Sequence, residues 1–182
     1  MNHRSKPGEA PSPAPVVWFT GKPNAGKTTV ARALASRLSD GGRRVEILDG
    51  NELRTWLSSE LGFSARDRRI HVVRVANLAR LLSGHGVWCL VAVIAPYNDL
   101  REEVRRILGP SMVEVYLRCE LEKLVAWDTK GLYARAIRGE IANFTGISDP
   151  FDEPAAPEMC FDSGREEVEP IVDQIWDWLK KR

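Results

Sequence analysis

The eight residues Gly21–Thr28, "GKPNAGKT", constrain this chain more than any other stretch. They fit G-x-x-x-x-G-K-[ST], and each fixed type has a physical task. Gly21 and Gly26 let the backbone turn tightly and gather N–H groups around an anion. Lys27 reaches the β- and γ-phosphates of a nucleoside triphosphate, and the Thr28 hydroxyl can ligate Mg²⁺. A chance match in a glycine-containing loop is disfavoured by the context. The apolar run "VVWFT" (16–20) reads as a strand ending at Gly21, and "GKTTVARALASRLSD" (26–40) carries apolar residues at helical spacing up to Gly41-Gly42. A helix opening at Gly26 adds a positive dipole end facing the anion. The loop from Gly21 through Lys22, Pro23, Asn24, Ala25, Gly26, Lys27 and Thr28 to Thr29 is therefore the expected nucleotide cradle. It does not reveal what is done with the nucleotide, because motors, switches and kinases share it.

The rest of the chain alternates strand and helix. Strands are expected at 44–48, in the continuous apolar run "VWCLVAVI" (87–94), in "MVEVYLR" (112–118) and in "MCFD" (159–162). Helices are expected at 51–61, 65–86 and 98–108, from 121, and at 166–181. This order predicts an α/β three-layer fold of the phosphate-loop NTPase type, with a mostly parallel five-stranded sheet and helices on both faces. "DTKGLYARAIRGEIANFTGISDPFDEPAAPE" (128–158) is rich in Gly, Pro and charge without sustained periodicity, and reads as a mobile lid. Residues 1–15 read as a disordered lead-in, and 16–182 as one kinase domain.

Composition narrows the class further. With 182 residues, 43% hydrophobic, 28% charged and a formal net charge of +1, the chain suits one globular domain and no broadly basic nucleic-acid surface. Three scattered cysteines, Cys89, Cys119 and Cys160, argue against a disulfide framework and for a reducing, cytoplasmic location. No apolar run reaches the ~20 residues of a membrane helix, so no membrane partner is expected.

Asp49 ends the second strand, at the edge where open α/β sheets bind ligands. A carboxylate there can orient a hydroxyl nucleophile, take its proton, or hold Mg²⁺. It can equally serve as a helix N-cap. The buried strand 87–94 runs into Ala95-Pro96 with no acidic residue, which disfavours the motor and switch classes. Taken together, "LDGNELR", "LGFSARDR", "IAPY", "DTKGLYARAIRGEI" and "NFTGISDPFDEP" resemble the adenylylsulfate kinase family, in the same order and over roughly residues 16–162.

The resemblance implies a kinase using ATP and Mg²⁺ to phosphorylate the ribose 3′-hydroxyl of adenosine 5′-phosphosulfate, giving 3′-phosphoadenosine 5′-phosphosulfate. By position it implies catalytic roles for Lys27, Asp49 and Lys130, with Thr28 and Asp49 as the metal-handling pair. Arg54 and Arg68 would hold the phosphosulfate, and Phe63 and Phe144 would stack on the substrate adenine. Asn51, His71, Ile94, Gly131 and Leu132 would complete the acceptor pocket. Trp127 stands where the family commonly places an arginine over the ATP adenine, and an indole can stack there too. The resemblance also implies a possible homodimer.

The departures from the family pattern cluster on the acceptor side. Asn51-Glu52 replaces the usual Asp-Asn pair after Asp49-Gly50. His71 replaces an asparagine that contacts substrate. It lies three residues from Arg68 on the same helical face and could bring a pH dependence. Ala95 replaces a serine, so no phosphoserine can form there, which favours direct in-line transfer. Asn98 replaces an arginine. These changes leave two alternatives open: a kinase for another nucleotide-linked acid such as cytidine diphosphoramidate, or a nucleotide-binding protein without catalysis.

Overall fold

The structure, a computed structural model, describes residues 13–181. The expected disordered segment falls largely outside the described residues. Its inner edge differs from expectation: Ala14 is buried, and its N–H donates to the Ser83 carbonyl at 2.9 Å, so the chain is docked two residues before Val16.

Five strands form one sheet: β1 (Val16–Thr20), β2 (Val45–Asp49), β3 (Trp88–Ala92), β4 (Met112–Arg118) and β5 (Met159–Asp162). Their order is β2-β3-β1-β4-β5 and every pairing is parallel. The pleat sends alternate residues to opposite faces, so β1 feeds two cores. Val17 and Phe19 pack with Val30, Ala31, Leu34 and Leu38 of α1 (Lys27–Asp40) and Ile171, Val172 and Ile175 of α7 (Val168–Leu179). Val16 and Trp18 pack with Val72, Val75 and Ala79 of α3 (Ala65–Gly84) and Leu100 and Val104 of α4 (Asn98–Leu108). All five residues of β1 are fully buried, consistent with a central strand covered on both sides. Removing a Trp18- or Phe19-sized side chain from water contributes roughly 2–3 kcal/mol each.

The remaining helices are short: α2 (Gly50–Trp56), α5 (Leu121–Ala126) and α6 (Leu132–Ile137). Two of them depart from expectation. The helix expected over 51–61 stops at Trp56, because the chain turns to bury Ser58 and carry Phe63 to the cleft. The segment 128–158, expected to be a mostly irregular lid, contains one short helix, α6, that the sequence reading did not place. Tyr133, wholly buried, and Phe144, 8% exposed, anchor it to the main core. Their rings meet edge-on at 4.9 Å. Ala136 joins them in the core, and Leu132, Ile141 and Ile147 pack against it at irregular spacing, so no periodicity announced the segment.

Sheet order reverses around β1: the chain leaves it past β3 to reach β2, and later crosses back to β4. The carboxyl ends of β1, β2 and β3 therefore open onto one crevice, where ligands bind in such sheets.

Candidate active site

That crevice is a cavity of about 860 Å³. The loop after β1 forms its floor. Gly21 has φ +149°, and a Cβ there would stand 2.5 Å from the Leu117 carbonyl oxygen, so no other residue fits without moving β4. Asn24 and Gly26 also take positive φ, 62° and 82°. Lys27 turns back into the loop and donates from Nζ to the carbonyls of Gly21 and Lys22 at 2.8 and 2.7 Å. Burial lowers its pKa to about 7, against the opposing pull of Asp49. Ala25 is buried and its N–H is spent on the Lys22 carbonyl at 3.3 Å, so it shapes the loop.

Asp49 does two things at once. Its Oδ1 caps α2, accepting from the N–H groups of Asn51 at 2.8 Å and Glu52 at 3.3 Å. Its Oδ2 accepts from the Thr28 hydroxyl at 2.5 Å. The cap fixes the carboxylate's direction, and the second oxygen meets the first turn of α1. Among the described residues no cluster of three His, Cys, Asp or Glu side chains could hold a metal ion. Thr28 and Asp49 are thus a two-oxygen set, which suits Mg²⁺ held mainly by phosphates and water.

Opposite the loop, the cleft is lined by Asn51, Arg54, Phe63, Arg68, His71, Ile94, Lys130, Leu132 and Phe144. Arg68 is 7% exposed, unlike a typical surface arginine. Its Nε donates to the Phe63 carbonyl at 3.0 Å, its Nη2 to the Asn143 carbonyl, and Asp149 lies 3.8 Å away. The Tyr97 hydroxyl donates to Asp149 at 2.8 Å, so three chain segments meet at this guanidinium. Arg54 lies 4.6 Å over the Phe63 ring and donates to the Gly62 carbonyl at 2.9 Å. Phe63 is 56% exposed, an unusual state for a phenylalanine and one that leaves its ring available to a ligand. Burial lowers the pKa of both arginines, which still carry their charge at neutral pH.

Lys130 stands exposed on the rim, and Gly131, in a left-handed conformation with φ 65°, caps α6. The rim is tied to the phosphate loop: the Tyr133 hydroxyl donates to the Pro23 carbonyl at 2.9 Å, and Asn24 reaches Asp128 at 3.4 Å. Trp127, 45% exposed, lines both this cleft and an adjoining cavity of about 230 Å³ shared with Asn24, Thr29, Ser163 and Glu166. Ser163 and Glu166 were missed from sequence, because they follow β5 and belong to no motif. Arg135, Asn143 and Thr145 also line the cleft; they sat unselected inside quoted motifs.

His71 corrects one expectation. It is 3% exposed, and burial together with the nearby charges of Arg54 and Arg74 lowers its pKa to about 4. It stays neutral through the physiological range, so it supplies no pH dependence there. Ala95 is buried, adopts φ 44° and has its carbonyl held by Arg101 at 2.6 Å.

The family description "Adenylylsulphate kinase" matches residues 13–162. An adenylyl-sulfate kinase of Myxococcus xanthus is 45% identical over 170 residues, 92% of this chain and 91% of that protein. One from Chloroflexus aurantiacus is 51% identical over 144 residues, covering 79% and 77%. Among solved structures, the Mycobacterium tuberculosis APS kinase CysC in complex with AMPPNP and APS superposes with a TM-score of 0.89 at 34% identity, covering 93% of this chain and 99% of that one.

Proposed function

This chain belongs to the adenylylsulphate kinase family, and from that premise and the cleft's geometry we propose that it transfers the γ-phosphate of ATP to the 3′-hydroxyl of adenosine 5′-phosphosulfate. The observation that carries the proposal is the Asp49–Thr28 contact. It holds a carboxylate oxygen against the Thr28 hydroxyl, next in sequence to Gly50 and Asn51 of a cleft lined by two arginines and two phenylalanines, which supports this reading.

In this reading ATP lies along Gly21–Thr29, with its base toward Trp127 and the smaller adjoining cavity. Arg54 and Arg68 hold the phosphosulfate, whose anionic oxygens suit planar guanidinium forks. Phe63 and Phe144 offer aromatic surfaces to the purine. Asp49 orients the 3′-hydroxyl and accepts its proton as the oxygen attacks phosphorus. The bond from the γ-phosphorus to the β–γ bridging oxygen breaks, and ADP leaves. Thr28 and Asp49 would hold Mg²⁺, which supplies charge neutralisation on the phosphate oxygens. Lys27 and Lys130 offset the charge that spreads over the transferred group. With Ala95 in the cleft wall, no hydroxyl is available there for a phosphoenzyme, so transfer is direct and in line.

The test is turnover with Mg-ATP on adenosine 5′-phosphosulfate beside cytidine diphosphoramidate, with products identified by mass and phosphorus NMR. A 3′-phosphorylated phosphosulfate with equimolar ADP is expected. Turnover on the phosphoramidate alone would reassign the acceptor, and nucleotide binding without transfer to either would overturn the kinase reading.

A further inference from the structure

Arg101 of α4 is absent from the cleft lining, yet it is 4% exposed and several chain segments meet on its guanidinium. Its Nη1 donates to the Ala95 carbonyl at 2.6 Å. Its Nη2 donates to the Asp152 carbonyl at 2.6 Å and to Oδ1 of Asn98. Its Nε stands 3.5 Å from Oε1 of Glu114, a buried carboxylate on β4, as an ion pair. A planar fork with donors on three nitrogens can serve partners spread this widely. Asn98, which stands where the resemblance places an arginine, accepts from this fork where a cation could not.

The turn that Arg101 holds is under strain. Ala95 takes φ 44°, a region that alanine avoids, and it precedes Pro96, whose ring favours extended backbone in the residue before it. Such strain persists only where the surroundings over-determine it, and it collects at functional sites. Here three consecutive carbonyls are each held by a different segment. The Thr20 hydroxyl at the end of β1 donates to Ile94, Arg101 to Ala95, and the Asp152 N–H to Pro96 at 2.8 Å. Residues 92–96 all line the cleft.

We propose that Arg101 is a positioning residue for phosphoryl transfer: it holds Ala95 in the left-handed conformation and so sets the cleft wall against which the acceptor rests. The proposal rests on the acceptor reading given above and adds to it the residue that shapes this wall from behind. Glu114 keeps the fork in place. Its other oxygen meets Arg105 at 3.2 Å, and Arg105 pairs with Glu158 at 2.7 Å, so two cations and two carboxylates balance beneath the turn. A buried ion pair adds little net stability, but breaking one by removing a single partner is costly. The fork therefore cannot swing away from Ala95 without leaving Glu114 uncompensated.

The test is a double-mutant cycle between Arg101→Lys and Ala95→Gly. Lysine keeps a charge opposite Glu114 and loses the fork. In Arg101→Lys, kcat/KM for the phosphosulfate should fall about tenfold to a hundredfold, with the KM for ATP within about threefold of wild type. Glycine takes positive φ freely, so the ties at Ile94 and Pro96 then suffice. Measured against Ala95→Gly alone, the same lysine substitution should cost about threefold or less. A merely structural role for Arg101 would give equal losses in both backgrounds. The ¹³Cα and ¹³Cβ shifts of Ala95, which distinguish left-handed from extended backbone, supply a readout that needs no acceptor. They should be left-handed in the wild type and move toward extended in Arg101→Lys. Should that variant fail to fold, Arg101→Met combined with Glu114→Gln removes both charges and takes its place in the cycle. Equal losses in the two backgrounds, a KM for ATP that rises with that for the phosphosulfate, or unmoved Ala95 shifts would each overturn the proposal. Failure of the acceptor reading is distinguishable: the wild-type protein would then turn over no phosphosulfate, and the Ala95 shifts would decide the role of Arg101.

Discussion

The two halves we propose for the cleft, one for the nucleotide and one for the acceptor, are built on different principles. The nucleotide half is contiguous in sequence and made chiefly of backbone: nine residues, Gly21–Thr29, running from the end of a fully buried strand through the first turn of the helix it feeds. The acceptor half is gathered from afar. Arg54 comes from α2, Arg68 and His71 from α3, Ile94 from the turn two residues past β3, and Lys130 and Phe144 from the segment after α5. A backbone cradle is set by local turn chemistry and tolerates substitution at its variable positions. A side-chain pocket is set by packing, so each replacement changes what it recognises. Of the departures implied by the family resemblance, His71, Asn51 and Ala95 belong to the second half and Trp127 to the first.

Predictions that sharpen the contrast run from large effects to small. Lys27→Ala removes the charge that meets the triphosphate and should lower kcat/KM about a thousandfold with either acceptor; steady-state kinetics checks it. Arg68→Ala should act on one half only. The KM for the phosphosulfate should rise about a hundredfold while that for ATP moves little, and comparable increases in both would contradict the division. Lys27 also gives the nucleotide half a pH dependence. Its pKa near 7 in the free protein must rise when an anion binds, so binding takes up a proton above pH 7. ATP affinity should therefore weaken by up to about tenfold per unit as pH rises above 7, with proton uptake seen by calorimetry in buffers of different ionisation enthalpy. In the acceptor half, His71 has the opposite visibility. Its folded pKa, about 4, lies below the ordinary 6.5, so between these values the unfolded chain binds the proton and the native one does not. Stability should fall as pH drops from 6.5 toward 4, and His71→Gln should lose that part of the slope in urea titrations. Smallest is Tyr133→Phe, which removes the hydroxyl donated to Pro23. It should lower kcat/KM about fivefold, the worth of one neutral hydrogen bond between the rim and the loop.

The same division explains how much was legible in the sequence. The parallel sheet, the loop and its helix followed from short-range signals: an apolar run, a glycine spacing, and a helix with buried residues at Val30, Leu34 and Leu38. The family resemblance supplied the candidate acceptor residues, and the fold brings them, apart from Asp49 and Gly131, into the lining of one cleft because β2, β3 and α3 all end or pass at the same sheet edge. Long-range relations stayed hidden. Nothing near Ser58 in the sequence indicates that its hydroxyl meets His71, thirteen residues on. Nothing near Asp149 indicates that Tyr97, fifty-two residues earlier, donates to it. The helix α6 escaped because its anchoring depends on Tyr133 and Phe144 meeting across an irregular segment.

The junction of the two halves is Asp49, whose one oxygen caps α2 while the other meets Thr28. The most direct measurement is the Asp49→Asn variant, with equilibrium binding of a non-hydrolysable ATP analogue and of adenosine 5′-phosphosulfate measured beside single-turnover transfer. Asparagine keeps a capping oxygen, so the fold and both affinities should hold within about threefold, while the transfer rate falls about a thousandfold or more. Transfer within about tenfold of wild type, with both ligands bound, would contradict the role of Asp49 and with it the account of how the two halves act together.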